Sequence, residues 1–157
     1  MLKSKSRCVL TSGLALTIGA GAFALGSGTA TAAAASSSTP GVTATSITVG
    51  SISDISAPIA GLFEGAKVGT QAYFAMINSE GGVNGRKLII DGMDSAFSSG
   101  TVANDAKSIA TNDFAFVGGF SLLDGAEQPA IDAGKVPLVT QVLSPNLYTD
   151  PNLYSAI

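Results

Sequence analysis

From Ile47 onward the chain alternates short β-branched runs with longer segments of helical period, and this alternation restricts its fold more than any other feature. Ile47-Thr48-Val49-Gly50-Ser51-Ile52 reads as a first strand. From Ala60 to Asn78, Leu62, Ala66, Gly69, Tyr73 and Met76 or Ile77 recur at helical spacing, which predicts a helix with that stripe inward and Glu64, Lys67 and Gln71 outward. A strand over Lys87 to Ile90 follows, then a loop through Asp91, Asp94, Ser98, Ser99 and Gly100 into a helix that buries Val102, Ala106 and Ile109 and takes Ser98 or Ser99 as its cap. Phe114 to Val117 predicts a third strand, Ala126 to Ala133 a helical segment ending at Gly134, and Val136 to Thr140 a fourth strand. The order β-α-β-α-β-α-β predicts an α/β fold, an open and mostly parallel sheet with helices on both faces and right-handed crossovers.

Between the first helix and the second strand lies Asn78-Ser79-Glu80-Gly81-Gly82-Val83-Asn84-Gly85-Arg86-Lys87-Leu88. Asn78 and the paired glycines can take positive φ where a helix ends, and Asn84-Gly85 supplies a second tight reversal. Leu88, Ile89 and Ile90 then read as a core strand.

The sequence before Ile47 differs in kind. Lys3, Lys5 and Arg7 precede an apolar, Gly- and Ala-rich run from Val9 to Leu25, and Ala30 and Ala32 form an A-x-A site, the layout of a secretory signal peptide over residues 1–32. Residues 33–45 are rich in Ala, Ser, Thr, Pro and Gly and are expected to be a flexible leader, because they bury too little apolar surface to offset ordering entropy. The expected location is therefore outside the cytoplasm, periplasmic, extracellular or at the cell surface. Cys8 is the only cysteine and stands before the apolar run, so a lipid anchor is not expected, and the processed chain has no disulfide.

Removal of residues 1–32 leaves 5 basic against 11 acidic residues, a net charge of −6, which disfavours nucleic acid as a partner. The chain has no histidine, which excludes Ser-His-Asp and Cys-His nucleophiles and the usual zinc sites. Gly118-Gly119 follows a strand, yet neither G-x-G-x-x-G nor Gly-Lys-Ser/Thr is present, so no nucleotide or other cofactor is expected. Asp91 and Asp94 are the one carboxylate pair that a small secreted hydrolase would use, if burial raised one of them. Asp at a strand end more often caps a turn.

In an open parallel sheet, ligands bind beyond the carboxyl ends of the strands, so loops starting at Ser53, Asp91, Gly118 and Gln141 converge on one rim. Helix N-termini there favour an anionic group such as a carboxylate. Ser53, Ser56, Ser121 and Ser144 would add hydroxyl donors, or else serve as caps and turn residues. Asp124 reads equally as an N-cap or a ligand contact.

These segments resemble the amino-terminal lobe of type I periplasmic binding proteins, in the branched-chain amino acid (Leu/Ile/Val) group of ABC transporter receptors. Ile55-Ser56-Ala57-Pro58 is similar to the family's S/T-G-P after the first strand, and Ile77 to Leu88 is similar to its I-N-x-x-G-G-V-x-G-R-K-L. Val117-Gly118-Gly119 and Gly134-Lys135-Val136-Pro137 add support, and the resemblance runs from about Ile47 to Ile157. It implies a non-enzymatic substrate-binding component that holds an amino acid or similar small polar solute and delivers it to a membrane permease. It also implies that this lobe grips the ligand's carboxylate through Ser/Thr hydroxyls and backbone N–H groups.

On matching positions, the contacts would be Leu122, Leu123, Asp124 and Gly125 with Ser121 beside them, then Leu143 and Ser144, with Ser56 in the first loop and Leu62 where some members carry an aromatic. Leu122-Leu123-Asp124 replaces a serine-rich stretch, and the loop from Gly118 to Pro129 is longer than usual, so specificity does not carry over. Some members bridge two loops with cysteines where this chain has Phe97 and Ser121. Members of the family have two lobes, and residues 46–157 are expected to be part of the first only, a truncated form that binds weakly by itself. A ligand-sensing domain of the same fold is the alternative within the family.

Overall fold

The computed structural model describes residues 39–56, 61 and 63–154. The expected signal peptide, the start of the expected leader, Ala57, Pro58 and Leu62 lie outside the described residues. The elements are β1 (Ser46–Ser53), α1 (Glu64–Ser79), β2 (Lys87–Asp94), α2 (Ser99–Asn112), β3 (Phe116–Val117), α3 (Gln128–Gly134) and β4 (Leu138–Val139), with 3-10 turns at Asp124–Glu127 and Leu147–Thr149. All pairings are parallel and the strand order is β2-β1-β3-β4. This is the α/β sheet that the alternation predicts.

The β1–β2 register runs from Ser46 opposite Lys87 to Ser53 opposite Asp94, and side-chain alternation then assigns the faces. Ile47 and Val49 share one face with Leu88 and Ile90, and there they pack with Phe74 of α1. Ile52 and Met93 share the other, together with Phe116, Leu138, Val102, Ala106, Ile109 and Ile131 of α2 and α3. Helices therefore cover both faces. On the α2/α3 side Ile109 is fully buried over Gly50, where an added Cβ would overlap its side chain. Burying an aliphatic side chain of this size contributes about 1.5–3 kcal/mol.

Helix α2 matches its prediction: Ser98 accepts the Thr101 N–H at 3.3 Å, and Val102, Ala106 and Ile109 are the buried residues. Helix α1 does not. Phe74 is its buried residue, whereas Tyr73 is 56% and Met76 48% exposed, and Gly69 is exposed as well. Lys67, expected outward, lays its stem across Gly92. Apolar residues occur all around this helix, so the spacing admitted two stripes about one residue apart, and the ring of Phe74, which has no hydroxyl to desolvate, took the core.

At the start of the sheet, residues 39–45 depart from the expected flexible leader. The Val42 N–H donates to Thr39 O at 3.1 Å, the Thr48 N–H to Gly41 O at 2.7 Å and Arg86 Nε to Thr43 O at 2.8 Å. Backbone pairing with β1 holds a segment that side-chain burial would not. In the glycine turn, Gly81 and Gly82 have φ of 104° and 76°, as expected, and a Cβ on Gly82 would overlap the Arg86 carbonyl oxygen. Asn78 instead stays helical, and its side-chain amide clamps β2 by accepting the Leu88 N–H and donating to Leu88 O, both at 2.8 Å. The third and fourth strands and α3 are shorter or shifted against expectation, and β2 runs on to Asp94. Beyond β4, Leu153 bridges Leu138 in parallel, with the Tyr154 N–H on Leu138 O at 2.8 Å.

Candidate ligand-binding site

The loops after all four strands meet at one end of the sheet, and buried or bridging aspartates join them. Asp54, the residue after β1, is fully buried. Its carboxylate accepts the Ser95 hydroxyl from the β2 loop, the Ser121 hydroxyl at 2.9 Å and the Leu122 N–H at 2.7 Å from the β3 loop. Asp94, the last residue of β2, reaches back to the β1 loop and accepts the Ile55 N–H at 3.0 Å, the Ser56 N–H at 3.1 Å and the Ser56 hydroxyl. Asp124 in the β3 loop accepts the Leu143 N–H at 2.5 Å, the Ser144 N–H at 3.2 Å and the Ser144 hydroxyl from the β4 loop.

These bonds fix where the expected side chains are placed. The structure brings Ser121, Leu122, Leu123, Asp124, Gly125, Leu143 and Ser144 together. Leu122 and Leu143 are exposed on the rim, Leu123 packs against the α2/α3 core, and Gly125 abuts Ser144, whose Oγ would lie 2.8 Å from an added Cβ. Ser56 sits across the rim on the β1 loop, exposed. Ser56, Ser121 and Ser144 each spend their hydroxyl hydrogen on an aspartate, so toward a ligand they act as acceptors. Ser53 is buried and accepts the Phe120 N–H at 3.3 Å. Asp124 is neither an N-cap nor a solvent-facing contact; it is the link between the third and fourth loops.

The Asp91–Asp94 pair does not suit a hydrolase. Three positions apart on one strand, the two side chains point to opposite faces. The Ser56 hydroxyl, with the Ala96, Ser56 and Ile55 N–H groups, holds the Asp94 carboxyl down at about 2, against the opposing effect of desolvation. A carboxylate that acidic is a poor proton donor at neutral pH.

Two residues that the sequence did not single out complete the site. Asp54 stands in the loop that begins at Ser53. Glu127, 5% exposed at the end of the 3-10 turn, is pushed up to about 8 by desolvation and by the neighbouring Asp124 and Asp54. It lines a cavity of about 10 Å³ beneath the rim, with Ser121, Asp124, Thr140 and Gln141 on the polar side and residues 50–52 of β1 and Phe116 and Val117 of β3 making up most of the rest. Above, Phe63 and Phe120 stack with centroids 5.0 Å apart and an interplanar angle of 19°. Among the described residues no group of three or more His, Cys, Asp or Glu is placed to hold a metal ion.

Residues 46–157 match the family of periplasmic binding proteins over their whole extent. The chain belongs to the periplasmic binding protein family. It shares the fold of a fatty acid ABC transporter substrate-binding protein from Thermomonospora curvata, with a TM-score of 0.65, 21% identity, and 73% of this chain and 30% of that one covered. A branched-chain amino acid transporter substrate-binding protein from Streptococcus pneumoniae, in complex with isoleucine, aligns with a TM-score of 0.63 and 20% identity over 70% of this chain and 33% of that one. A substrate-binding periplasmic protein from Ralstonia solanacearum aligns with a TM-score of 0.62 and 19% identity over 69% and 33%. The chain thus spans about a third of the length of these structures. No curated protein matches it. The family is one of binding proteins and not of enzymes, and it implies a location outside the cytoplasm.

Proposed function

We propose that the chain is the ligand-gripping part of an extracytoplasmic substrate-binding component of an ABC-type uptake system, taking an amino acid or a similar small polar solute and passing it to a membrane permease. The observation that carries this reading is the Asp124 link, which places the backbone of Leu122 to Gly125 beside that of Leu143 and Ser144. Two adjacent strand-end loops held in register form a ready platform for a small solute, and the stacked Phe63 and Phe120 add an apolar flank. The signal-like residues 1–32 support export.

The test is a titration of the isotopically labelled protein with leucine, isoleucine and valine, followed through backbone amide shifts. Shifts clustered at residues 121–125 and 143–144 are the expected result. Because the described residues supply a single wall, half-saturation is expected at about 1 mM or above. Shifts confined to other surfaces would overturn the assignment. N-terminal sequencing of the secreted product checks export, with Ala33 expected as the first residue.

A further inference from the structure

We infer that the cavity bounded by Ser121, Asp124, Glu127, Thr140 and Gln141 seats the cationic ammonium head of the solute. The inference rests on the solute-binding role proposed for the rim and assigns that site its charge preference. A cavity of about 10 Å³ has room for one water molecule or one group of that size. Glu127 is buried against it, desolvation and then the like charges of Asp124 and Asp54 shape its acidity, and no donor among the described residues contributes. A buried carboxyl without a donor is costly in either protonation state, and a group bearing three N–H bonds relieves that cost.

The surroundings select for positive charge. Asp54, Asp94 and Asp124 all lie on this rim, and their partners among the described residues are neutral N–H and O–H groups. Arg86, Lys87 and Lys135 stand at the opposite ends of their strands, and Lys67, the cation at this end, lies over Gly92 of β2, away from the Asp124 and Asp54 carboxylates that face Glu127. A ligand carboxylate would need hydroxyl or backbone N–H donors, and the hydroxyls of Ser56, Ser121 and Ser144 and the N–H groups of Leu122, Leu123, Leu143 and Ser144 are already directed at side-chain oxygens. The charged groups facing Glu127 are Asp124 on its own turn and Asp54 from the β1 loop, both anionic. Seating an ammonium head beside Glu127 releases the Glu127 proton to solvent and forms an ion pair in its place. Affinity for the cation therefore rises with pH across the range in which free Glu127 is protonated.

Three isosteric probes test this on the full chain: 3-methylbutylammonium, 3-methylbutanamide and 3-methylbutanoate, followed by amide shifts at pH 6.0 and 7.5. The ammonium is expected to bind about tenfold tighter than the carboxylate at pH 7.5, to gain affinity from pH 6.0 to 7.5, and to shift residues 121–127. Glu127→Gln is expected to remove both the preference and the pH dependence. Equal or tighter binding of the carboxylate at the same residues would overturn the charge assignment and leave the receptor reading standing. Unchanged ammonium binding in Glu127→Gln would overturn the seat. If none of the three probes, nor leucine, shifts the rim, the receptor reading and this inference fall together.

Discussion

The two ends of the sheet are held by different chemistry. At the end where β2 begins, the ties carry no group that titrates near neutrality: the Asn78 amide on the Leu88 backbone, paired Val83–Arg86 backbone bonds of 2.8 and 3.0 Å, the Thr43 hydroxyl accepting the Ser46 N–H at 2.9 Å, and the Arg86 guanidinium on Thr43 O. At the end where the strands finish, the ties are carboxylates. Asp54, Asp94 and Asp124 each gather donors from a neighbouring loop. Ties of the first kind hold their geometry through neutral pH, whereas carboxylate ties give stronger bonds and leave negative charge where a solute would arrive.

The widest gap between the ends should appear on removing Asp54. Asp54→Ala strands the Ser95 and Ser121 hydroxyls and the Leu122 N–H in a buried setting, and urea denaturation should show a loss of about 3 kcal/mol. A change below about 1 kcal/mol would mean that these loops order without the carboxylate.

Alkaline titration should give the next largest effect. Glu127 has a folded pKa raised from 4.5 to about 8, so the folded state holds its proton more tightly than the unfolded chain does. The stability it contributes is fully present below pH 4.5 and declines as pH rises toward 8. Asp113, which burial and then Asp91 raise to about 6, adds to the same fall at the opposite end. Thermal denaturation from pH 5 to 8 should show a falling midpoint, and Glu127→Gln should flatten most of that slope.

Breaking the end where β2 begins should cost less. Asn78→Ala removes both bonds to Leu88, for an expected loss of about 1–2 kcal/mol that stays constant from pH 4 to 8. A strongly pH-dependent loss would erase the contrast drawn between the ends. Acid should produce the smallest effect. Asp94 is depressed from 3.8 to about 2, so its contribution is present above pH 3.8 and is lost as pH falls toward 2. Its carboxylate is largely solvated, and Ser56→Ala should lower stability by less than about 1 kcal/mol while speeding hydrogen exchange at Ile55 and Ser56.

The contrast also marks how far the sequence could be read. The parallel sheet followed from alternating runs alone, and Val102, Ala106 and Ile109 were legible as a buried stripe because Val102 and Ile109 are the large apolar residues of α2 and stand seven positions apart. In α1 the same test slipped from Phe74 to Tyr73, since adjacent aromatic residues satisfy either stripe. Loops at the rim were legible as a place, through the rule that parallel strands present their carboxyl ends together. Their internal wiring was not, because Asp54 finds Ser121 and Leu122 across 67 and 68 positions of sequence, a pairing that no local pattern encodes. Glu127 was invisible for a related reason: its acidity depends on burial, on Asp124 of its own turn and on Asp54, which only the folded chain brings near.

Strand β2 forms the outer margin of the sheet among the described residues, leaving one row of its amide groups without a neighbouring strand. Such a margin invites another chain to add itself and start a fibre. Lys87 and Asp91, exposed on either side of Ile89, put opposite charges along that margin and so tax an incoming apolar ribbon. Replacing both with valine should turn a guarded border into a template for self-association.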